Sequence, residues 1–407
     1  MTTVRDEGLV SEDAFAEEAL EFLRGHAKPK VHVATAWGEG SDRVNLLAEK
    51  TREEELADLR AAKDWRRTAF DAGFAWITGP PEYGGRGLPS SYDRRYQALE
   101  AGFEVPSQGP FTIGLGMVAP TILAHATPEV RDAYLRKLWR GEIVACQLFS
   151  EPGAGSDLAS LQTRAERDGD EWVINGQKVW TSGAQWSDIG EIICRTDPNV
   201  PKHKGLTAFV VDMHAPGVEI RPLRQMTGGS SFNEVFFTDV RVPDSHRLGD
   251  VNNGWAVALT TLMNERASIG AGGSVGTVNT TRLTGLLRHL GRDRDPLVRQ
   301  RLADIYINTM VSSYTSQRAL AKVKAGQAPG PEMSIAKLAL TQNSRRVCDL
   351  VSMVLGPKLI ADGGEWGTYA WSELVLGFPA MRIAGGSDEI MRNIIGERVL
   401  GLPKEPG

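Results

Sequence analysis

From residue 11 to about residue 138 the apolar positions recur every three or four residues, as in Phe15, Ala19, Phe22 and Leu23, and again in Leu56, Leu59 and Ala62. That spacing places them along one face of a helix with 3.6 residues per turn, so the first third of the chain is expected to be helical, with glycine and proline breaks. One break, 79–91 (GPPEYGGRGLPSS), carries so much proline and glycine that it is read as a loop, at the surface or lining a cleft. At Ile143 the period changes. The run IVACQLFS ends in EPGAGSD, and segments of strand composition follow at 171–174, 189–195, 206–211, 218–220 and 235–242. Asp168-Gly169 and Asn175-Gly176 between them have the composition of hairpin turns. Beyond Pro243 the helical period returns, with amphipathic stretches over 255–290, 296–325 and 335–355.

The order is helices, strands, helices. It predicts an α+β protein of three domains: an N-terminal helical domain over 1–142, a middle β domain over 143–245 and a C-terminal helical domain over 246–407. A chain of 407 residues is long enough to bury a large core, so size is compatible with an enzyme. Charge narrows the partners: 46 Lys and Arg against 51 Asp and Glu give a mild net charge of -5 with no basic tract, which argues against nucleic acid. Cys146, Cys194 and Cys348 are far apart and lack CxxC spacing, and the seven histidines show no ligand spacing, so neither a disulfide framework nor a metal site is expected. The acidic start lacks the plan of a signal peptide and no apolar run reaches roughly 18 residues, so the expectation is a cytoplasmic protein without a membrane span.

Four segments have residues suited to chemistry. In 150–157 (SEPGAGSD), Gly153 and Gly155 let a ligand approach the backbone while Ser150 and Ser156 supply hydroxyls, although a tight turn is the commoner meaning of such a segment. In 176–184 (GQKVWTSGA), Trp180 offers an aromatic face beside Thr181 and Ser182, against the plainer reading of a core tryptophan. Within 259–276, Glu265 lies three residues after Leu262 and four before Ile269, so its carboxylate projects from or beside an apolar stripe. Half-burial raises a carboxyl toward the range that suits proton abstraction, whereas a solvated Glu265-Arg266 pair is the ordinary alternative. The glycines at 270, 272, 273 and 276 imitate a dinucleotide fingerprint, but they follow a helical pattern instead of a strand, so a nicotinamide site is rejected. Finally, Ser387 is a candidate N-cap for an amphipathic helix with Ile390, Ile394 and Ile395 on its apolar side, and free amides at such a start can bind an anion, although most such starts are only capped ends.

In order and spacing these segments resemble the acyl-CoA dehydrogenase family across nearly the whole chain. SEPGAGSD looks like the family signature TEPxAGSD, GQKVWTSGA is similar to its second signature, and MTGGSSFNEVFFTDVRVP resembles the segment that closes the middle domain. The resemblance implies the family's fold: an N-terminal helical domain, a β-barrel-like middle domain and a C-terminal four-helix bundle. It implies FAD as cofactor, with Phe149, Ser150, Gly155 and Ser156 on the flavin ring and pyrophosphate, Trp180 and Ser182 beside the isoalloxazine, and Ser387 and Glu389 at the adenosine part. It places Ser156 and Arg266 at the coenzyme A substrate. The implied reaction is removal of the pro-R α-proton of an acyl-CoA thioester with hydride transfer from the β-carbon to flavin N5. The product is the trans-2-enoyl-CoA, and electrons pass on to electron-transferring flavoprotein, in fatty-acid, branched-chain or steroid side-chain catabolism.

Two departures from the family shape these expectations. Many members carry the base in a YEGT motif, where this chain has Ala384, Gly385, Gly386 and Ser387; members similar to the isovaleryl and long-chain enzymes carry it on the helix where Glu265 lies, so Glu265 is the candidate base. The family's RxxFG motif, which reaches the FAD of a neighbouring subunit, is absent from 286–303, and Met353, Gly356 and Pro357 stand in a later glutamine-glycine-glycine stretch. A homo-oligomer or a heterotetramer with a related subunit that completes the FAD site is therefore expected. The alternatives are a non-catalytic partner subunit, or a flavin oxidase or monooxygenase on the same fold.

Overall fold

The computed structural model describes residues 10–31, 37–44, 50–270, 280–324, 330–331 and 333–404. The described residues of 1–33, 50–223 and 232–261 form one compact unit, and those of 34–49, 224–231 and 262–407 form a second. Among the described residues no helix is long and apolar enough to cross a membrane.

The first unit opens with α1 (Glu12–His26), β1 (Lys28–Pro29), α2 (Arg52–Asp71), α3 (Ser90–Glu100), β2 (Phe103–Glu104), α4 (Ala119–His125) and α5 (Pro128–Arg140). Thr51 and Glu54 form a reciprocal capping box that starts α2, and Gly141 ends α5 in a left-handed conformation. The predicted apolar stripe of α1 is buried with Trp65, Phe74, Tyr92 and Tyr96 in one core. The 79–91 segment departs from a plain loop: Pro81–Tyr83 is a helical turn and Ser90 already begins α3. Bonds from Gly87 N–H to the Gly79 carbonyl and from Leu88 N–H to that of Ile77 tie it down, and a Cβ on Gly85 would lie 2.1 Å from the Gly79 oxygen. Prolines there preset helical φ at a turn start, which the simple count of proline and glycine overlooks.

Strands follow as β3 (Ala145–Leu148), β4 (Arg164–Asp168), β5 (Glu171–Ser182), β6 (Ile189–Arg195), β7 (Leu206–Asp212), β8 (Val218–Leu223), β9 (Phe232–Pro243) and β10 (Arg247–Leu248). They make one eight-stranded sheet in the order β10-β7-β6-β4-β5-β9-β8, with β3 parallel to β6. Inward side chains of six strands, among them Leu148, Trp172, Ile192, Phe209, Val235 and Val240, meet in a single cluster, so the sheet wraps around its own core. The other face of β6 and β7 carries Ile189, Ala208 and Val210 against α4 and α5, which explains why both strands read as continuous apolar runs.

The expected turn at 168–169 exists, with Asp168 opposite Glu171 and Gly169 at φ +67°. The expected turn at Asn175-Gly176 does not: both residues lie inside β5, where the register to β9 shifts between Ile174 and Gly176. Asn175 accepts from the Asp239 N–H and its amide donates to the Asp239 carboxylate, so the Asn-Gly pair serves a β-bulge instead of a hairpin. A Cβ on Gly176 would lie 2.5 Å from the Thr163 hydroxyl.

The second unit comprises the later part of α6 (Gly254–Gly270), then α7 (Thr280–His289), α8 (Pro296–Lys324), α9 (Met333–Leu355), α10 (Trp371–Met381) and α11 (Asp388–Ile394). Its core joins Leu283, Leu286, Val298, Ile305, Val351 and Trp371. Trp37 joins this core from far up the chain: Gly285 and Gly367 approach its ring so closely that a Cβ on either would come within 3.0 Å. The glycines expected at 272, 273 and 276 lie outside the described residues.

One buried ion pair joins β5 to the turn after β3. Lys178 is fully buried; its ammonium donates to the Phe149 carbonyl at 3.0 Å and to Glu151 at 2.9 Å. Glu151 also accepts from the backbone N–H groups of Gln162 at 2.6 Å and Thr163 at 2.8 Å. Burial alone would raise the Glu151 carboxyl, but Lys178 and these donors outweigh it and hold it below the ordinary carboxylate value. Lys178→Met leaves a charge buried without its partner, and is expected to cost roughly 3–5 kcal/mol, read as a lower melting temperature. Because the Glu151 pKa is depressed, its contribution is present above the unfolded carboxylate value and is lost as pH falls through the folded one. The gap between parent and Lys178→Met should therefore narrow in acid; a gap independent of pH would contradict an ionic role.

Candidate functional site

The first unit brings six of the expected site residues to one end of the sheet. Phe149 is buried directly after β3, and Ser150, half-buried, accepts through its carbonyl a 2.8 Å bond from the Val179 N–H, which sets it beside Trp180. Glu151 and Ala154 exchange both backbone bonds at 3.0 Å, closing a tight turn that leaves Gly155 and Ser156 exposed. The turn is held from behind by Lys178 and Glu151, neither of which the sequence reading singled out. An additional support is Asp157, which pairs with Lys202 at 2.7 Å.

Trp180 is the unusual residue here. It sits in a second irregularity of β5, where pairing with β9 shifts between Lys178 and Thr181, and its φ of +62° is in the left-handed region that a bulky side chain rarely occupies. Its indole is 61% exposed, with Phe232 edge-on at 6.1 Å. A core role for this tryptophan is thereby excluded. Strain of this kind persists only where surrounding structure enforces it, and it turns the ring outward next to the half-buried Ser182. Space is available: a Cβ on Gly153 or Gly155 would meet nothing within 4 Å. An exposed aromatic face, an open glycine turn and the Ser150, Ser156 and Ser182 hydroxyls fit a planar, hydrogen-bonding cofactor with a phosphate arm.

The second unit holds the remaining residues. Ser387 caps α11 as expected, accepting from the Ile390 N–H at 3.2 Å, and Glu389 is exposed and pairs with Arg392 at 3.4 Å. Gly385 and Gly386 precede it at φ +68° and +92°, a turn that glycine tolerates and other residues resist. Between Ser387 and Glu389 lies Asp388, fully buried and unanticipated. It accepts from Arg382 at 2.8 Å, Thr341 at 2.7 Å and Gln342 at 3.2 Å, while Lys337 donates to the Gly386 carbonyl at 2.6 Å. Burial pushes the Asp388 carboxyl up, yet Arg382, Thr341 and Lys337 reverse this and keep it below its usual value. A sign was available in sequence: an acid following a capping serine reads as a dipole partner, and only the distant Thr341 and Lys337, with Arg382 nearby, reveal it as a buried anchor. Glu265 is half-buried on α6, and Arg266 follows it on the same helix, its side chain outside the described residues.

Comparison with known proteins places this architecture. Three profiles match: acyl-CoA dehydrogenase N-terminal domain over residues 11–142, middle domain over 146–240 and C-terminal domain over 252–400. Acyl-CoA dehydrogenase IpdE1 of Mycobacterium tuberculosis is 37% identical over 362 residues, covering 87% of this chain and 91% of that protein. Acyl-CoA dehydrogenase FadE34 of the same organism is 42% identical over 287 residues, 70% of this chain and 39% of that relative's length. Among solved structures, the Tcur3481-Tcur3483 steroid ACAD matches with a TM-score of 0.72 and 27% identity over 100% of both chains. The ChsE4-ChsE5 complex from Mycobacterium tuberculosis matches at 0.69 and 26%, covering 99% of this chain and 100% of that one. The chain thus belongs to the acyl-CoA dehydrogenase family, with that family's α+β fold and oxidoreductase class.

Proposed function

We propose that this chain is a catalytic subunit that binds FAD, converts an acyl-CoA thioester to its trans-2-enoyl-CoA and hands the electrons to electron-transferring flavoprotein. The outward-held Trp180 beside the 150–156 turn is the observation that carries the reading. Phe149, Ser150, Gly155, Ser156, Trp180 and Ser182 are assigned to the flavin and pyrophosphate, and Ser387 and Glu389 to the adenosine part. Ser156 and Arg266 are assigned to the substrate, and the domains to 1–142, 143–245 and 246–407. When bound, FAD supplies the two-electron acceptor for the hydride that leaves the β-carbon.

Glu265 is assigned the proton. The α-proton of a thioester is a weak acid, so its removal needs a positioned carboxylate poised near the working pH, and partial burial of a glutamate serves that end. Ser150, Ser156 and Ser182 orient polar groups of the cofactor and thioester through hydrogen bonds, while the Trp180 ring packs on a flat face and keeps water from it. Steroid or other bulky acyl-CoA thioesters in a catabolic route are the substrate class favoured by likeness to the steroid ACAD.

The missing RxxFG motif, together with likeness to two structures that each name two different subunits, supports a heterotetramer in which a related chain completes the FAD site.

Three outcomes are expected. Under anaerobic conditions an acyl-CoA bleaches the bound flavin, and Glu265→Gln slows this by about 10²–10⁴-fold; unchanged bleaching would remove Glu265 from its role. Trp180→Ala weakens flavin retention by about 1 kcal/mol, read as a lower flavin-to-protein absorbance ratio after dialysis, and an unaltered ratio would sink the stacking assignment. Native mass measurement of the chain alone should find it short of one FAD per subunit, with full occupancy on co-expression with a related subunit. A homotetramer with one FAD per chain would reject the two-subunit assembly.

A further inference from the structure

β6 alternates between two faces. Ile192 and Cys194 point into the sheet's own core, whereas Ile189 points toward the helical layer, and with it Glu191, an acid with 0% exposure. Glu191 Oε1 lies 2.6 Å from the Thr261 hydroxyl on α6, and that hydroxyl lies 2.9 Å from the hydroxyl of Thr121 on α4. Thr121 donates in turn to the Met117 carbonyl at 2.8 Å. Both threonines are fully buried, and Glu191 Oε2 has no hydrogen-bond partner among the described residues.

Each hydroxyl owns one proton. Thr261 Oγ1 lies within reach of Glu191, Thr121 and, at 3.3 Å, the Val257 carbonyl, so its one proton can serve only one of them. A protonated Glu191 can supply the proton across the 2.6 Å contact and so leave the Thr261 proton for Thr121 or Val257, whereas an ionised carboxylate must take it from Thr261 and still gains nothing at Oε2. Burial with no cationic partner favours the same protonated form, and raises the Glu191 pKa to about 8 even though Thr261 acts the other way.

The chain ends on a functionally placed helix. α6 begins with Gly254 packed so tightly on Thr207 that a Cβ would lie 2.7 Å from its backbone, and Thr260 bonds His125 at 2.8 Å. These contacts set where the helix starts. Thr261 sets how it is turned, and Glu265 follows Thr261 by four residues, one turn on and on the same side of the helix.

We propose that Glu191 is a positioning residue for the dehydrogenation: its carboxyl, in a buried hydrogen-bond chain with Thr261 and Thr121, fixes the rotation of α6 and so the direction in which Glu265 presents its carboxylate. This rests on Glu265 being the base. Glu191 touches neither substrate nor cofactor in this role. A displacement of about 1 Å at a reacting group can cost 10²-fold in rate, so a loosened α6 acts on the proton-transfer step while ground-state binding is spared.

The test uses the flavin-loaded enzyme and anaerobic stopped-flow bleaching by the fastest-reacting thioester from a panel of straight-chain, branched and steroid acyl-CoAs. Glu191→Leu, which fills the space without a donor, is expected to lower the bleaching rate at saturation by about 10–100-fold at unchanged flavin content and half-saturating concentration. Glu191→Gln keeps a donor toward Thr261 and should restore most of that rate. Thr261→Val breaks the same chain from the helix side and should be slow like Glu191→Leu, which keeps the test open if the leucine variant does not fold. In infrared spectra a protonated-carboxyl C=O band at neutral pH should vanish in Glu191→Gln. Parent rates in Glu191→Leu and Thr261→Val, or a glutamine variant as slow as the leucine one, would overturn the inference. Slow bleaching in Glu265→Gln alongside parent rates in both chain-breaking variants sinks only the role of Glu191. Parent bleaching in Glu265→Gln sinks instead the assignment on which that role rests.

Discussion

The Lys178–Glu151 pair is the contact on which the geometry of the turn after β3 depends. An ammonium with no exposure must have its charge matched, and it is matched by a carboxylate that also accepts two backbone N–H groups and by the Phe149 carbonyl. Those acceptors and donors belong to three separate stretches, 149–151, 162–163 and β5, so a single charge pair determines how they meet. Such a pair adds little net stability over a well-packed apolar substitute, but it is unforgiving of displacement, and that is the property a binding turn requires. Two residues beyond Lys178, the chain passes through the left-handed conformation of Trp180; the neighbouring ladder on β9 and the anchored lysine leave it no relaxed alternative.

The same logic recurs in the second unit with the charges reversed. There the buried member is Asp388, and Arg382, Thr341, Gln342 and Lys337 are gathered around it. Both segments with short polar side chains are therefore backed by a buried ion, a division of labour in which the outward residues stay small and the positional rigidity comes from behind.

Periodicity sufficed for the elements because it reports burial on one face, and burial is what helices and strands of this protein share. The strands predicted at 171–174 and 235–242 were legible in their apolar cores, while the true β5 and β9 run on past bulges whose residues, Asn175, Gly176 and Asp239, carry turn composition. Composition cannot separate a bulge from a hairpin, since both ask for φ values that Gly and Asn tolerate; the partner strand decides. The exposed turn at 150–156 and the exposed Trp180 lie on segments that sequence singled out by their small and aromatic groups near glycine. Glu151, Lys178, Glu191 and Asp388 were not legible, because in sequence a charged residue reads as solvent-facing, and only a partner 27, 47 or 70 positions away converts it into core. Trp37 was hidden for a related reason: its contacts with Gly285 and Gly367 are non-local, and the residues around it show no period.

With Glu265 proposed as the base, the place of the acid follows from backbone conformation as much as from the glutamate itself. At Gly385 and Gly386 the chain takes two successive left-handed residues, each of which would cost a side-chain-bearing residue on the order of 1 kcal/mol. A carboxylate at 385 would have to pay that strain in a turn whose shape Asp388 and Lys337 already dictate. The helix α6 offers the opposite setting, a regular backbone seated at Gly254 on Thr207 and tied at Thr260 and Thr261, and a glutamate there needs no special φ to be held still. In the proposed assignment, an acid on a pinned helix instead of a strained loop transfers the demand for precision from the residue itself to the contacts that hold its helix. On the proposed assignment of Glu265, a buried carboxyl on β6, remote in sequence, thereby becomes part of the problem of proton abstraction.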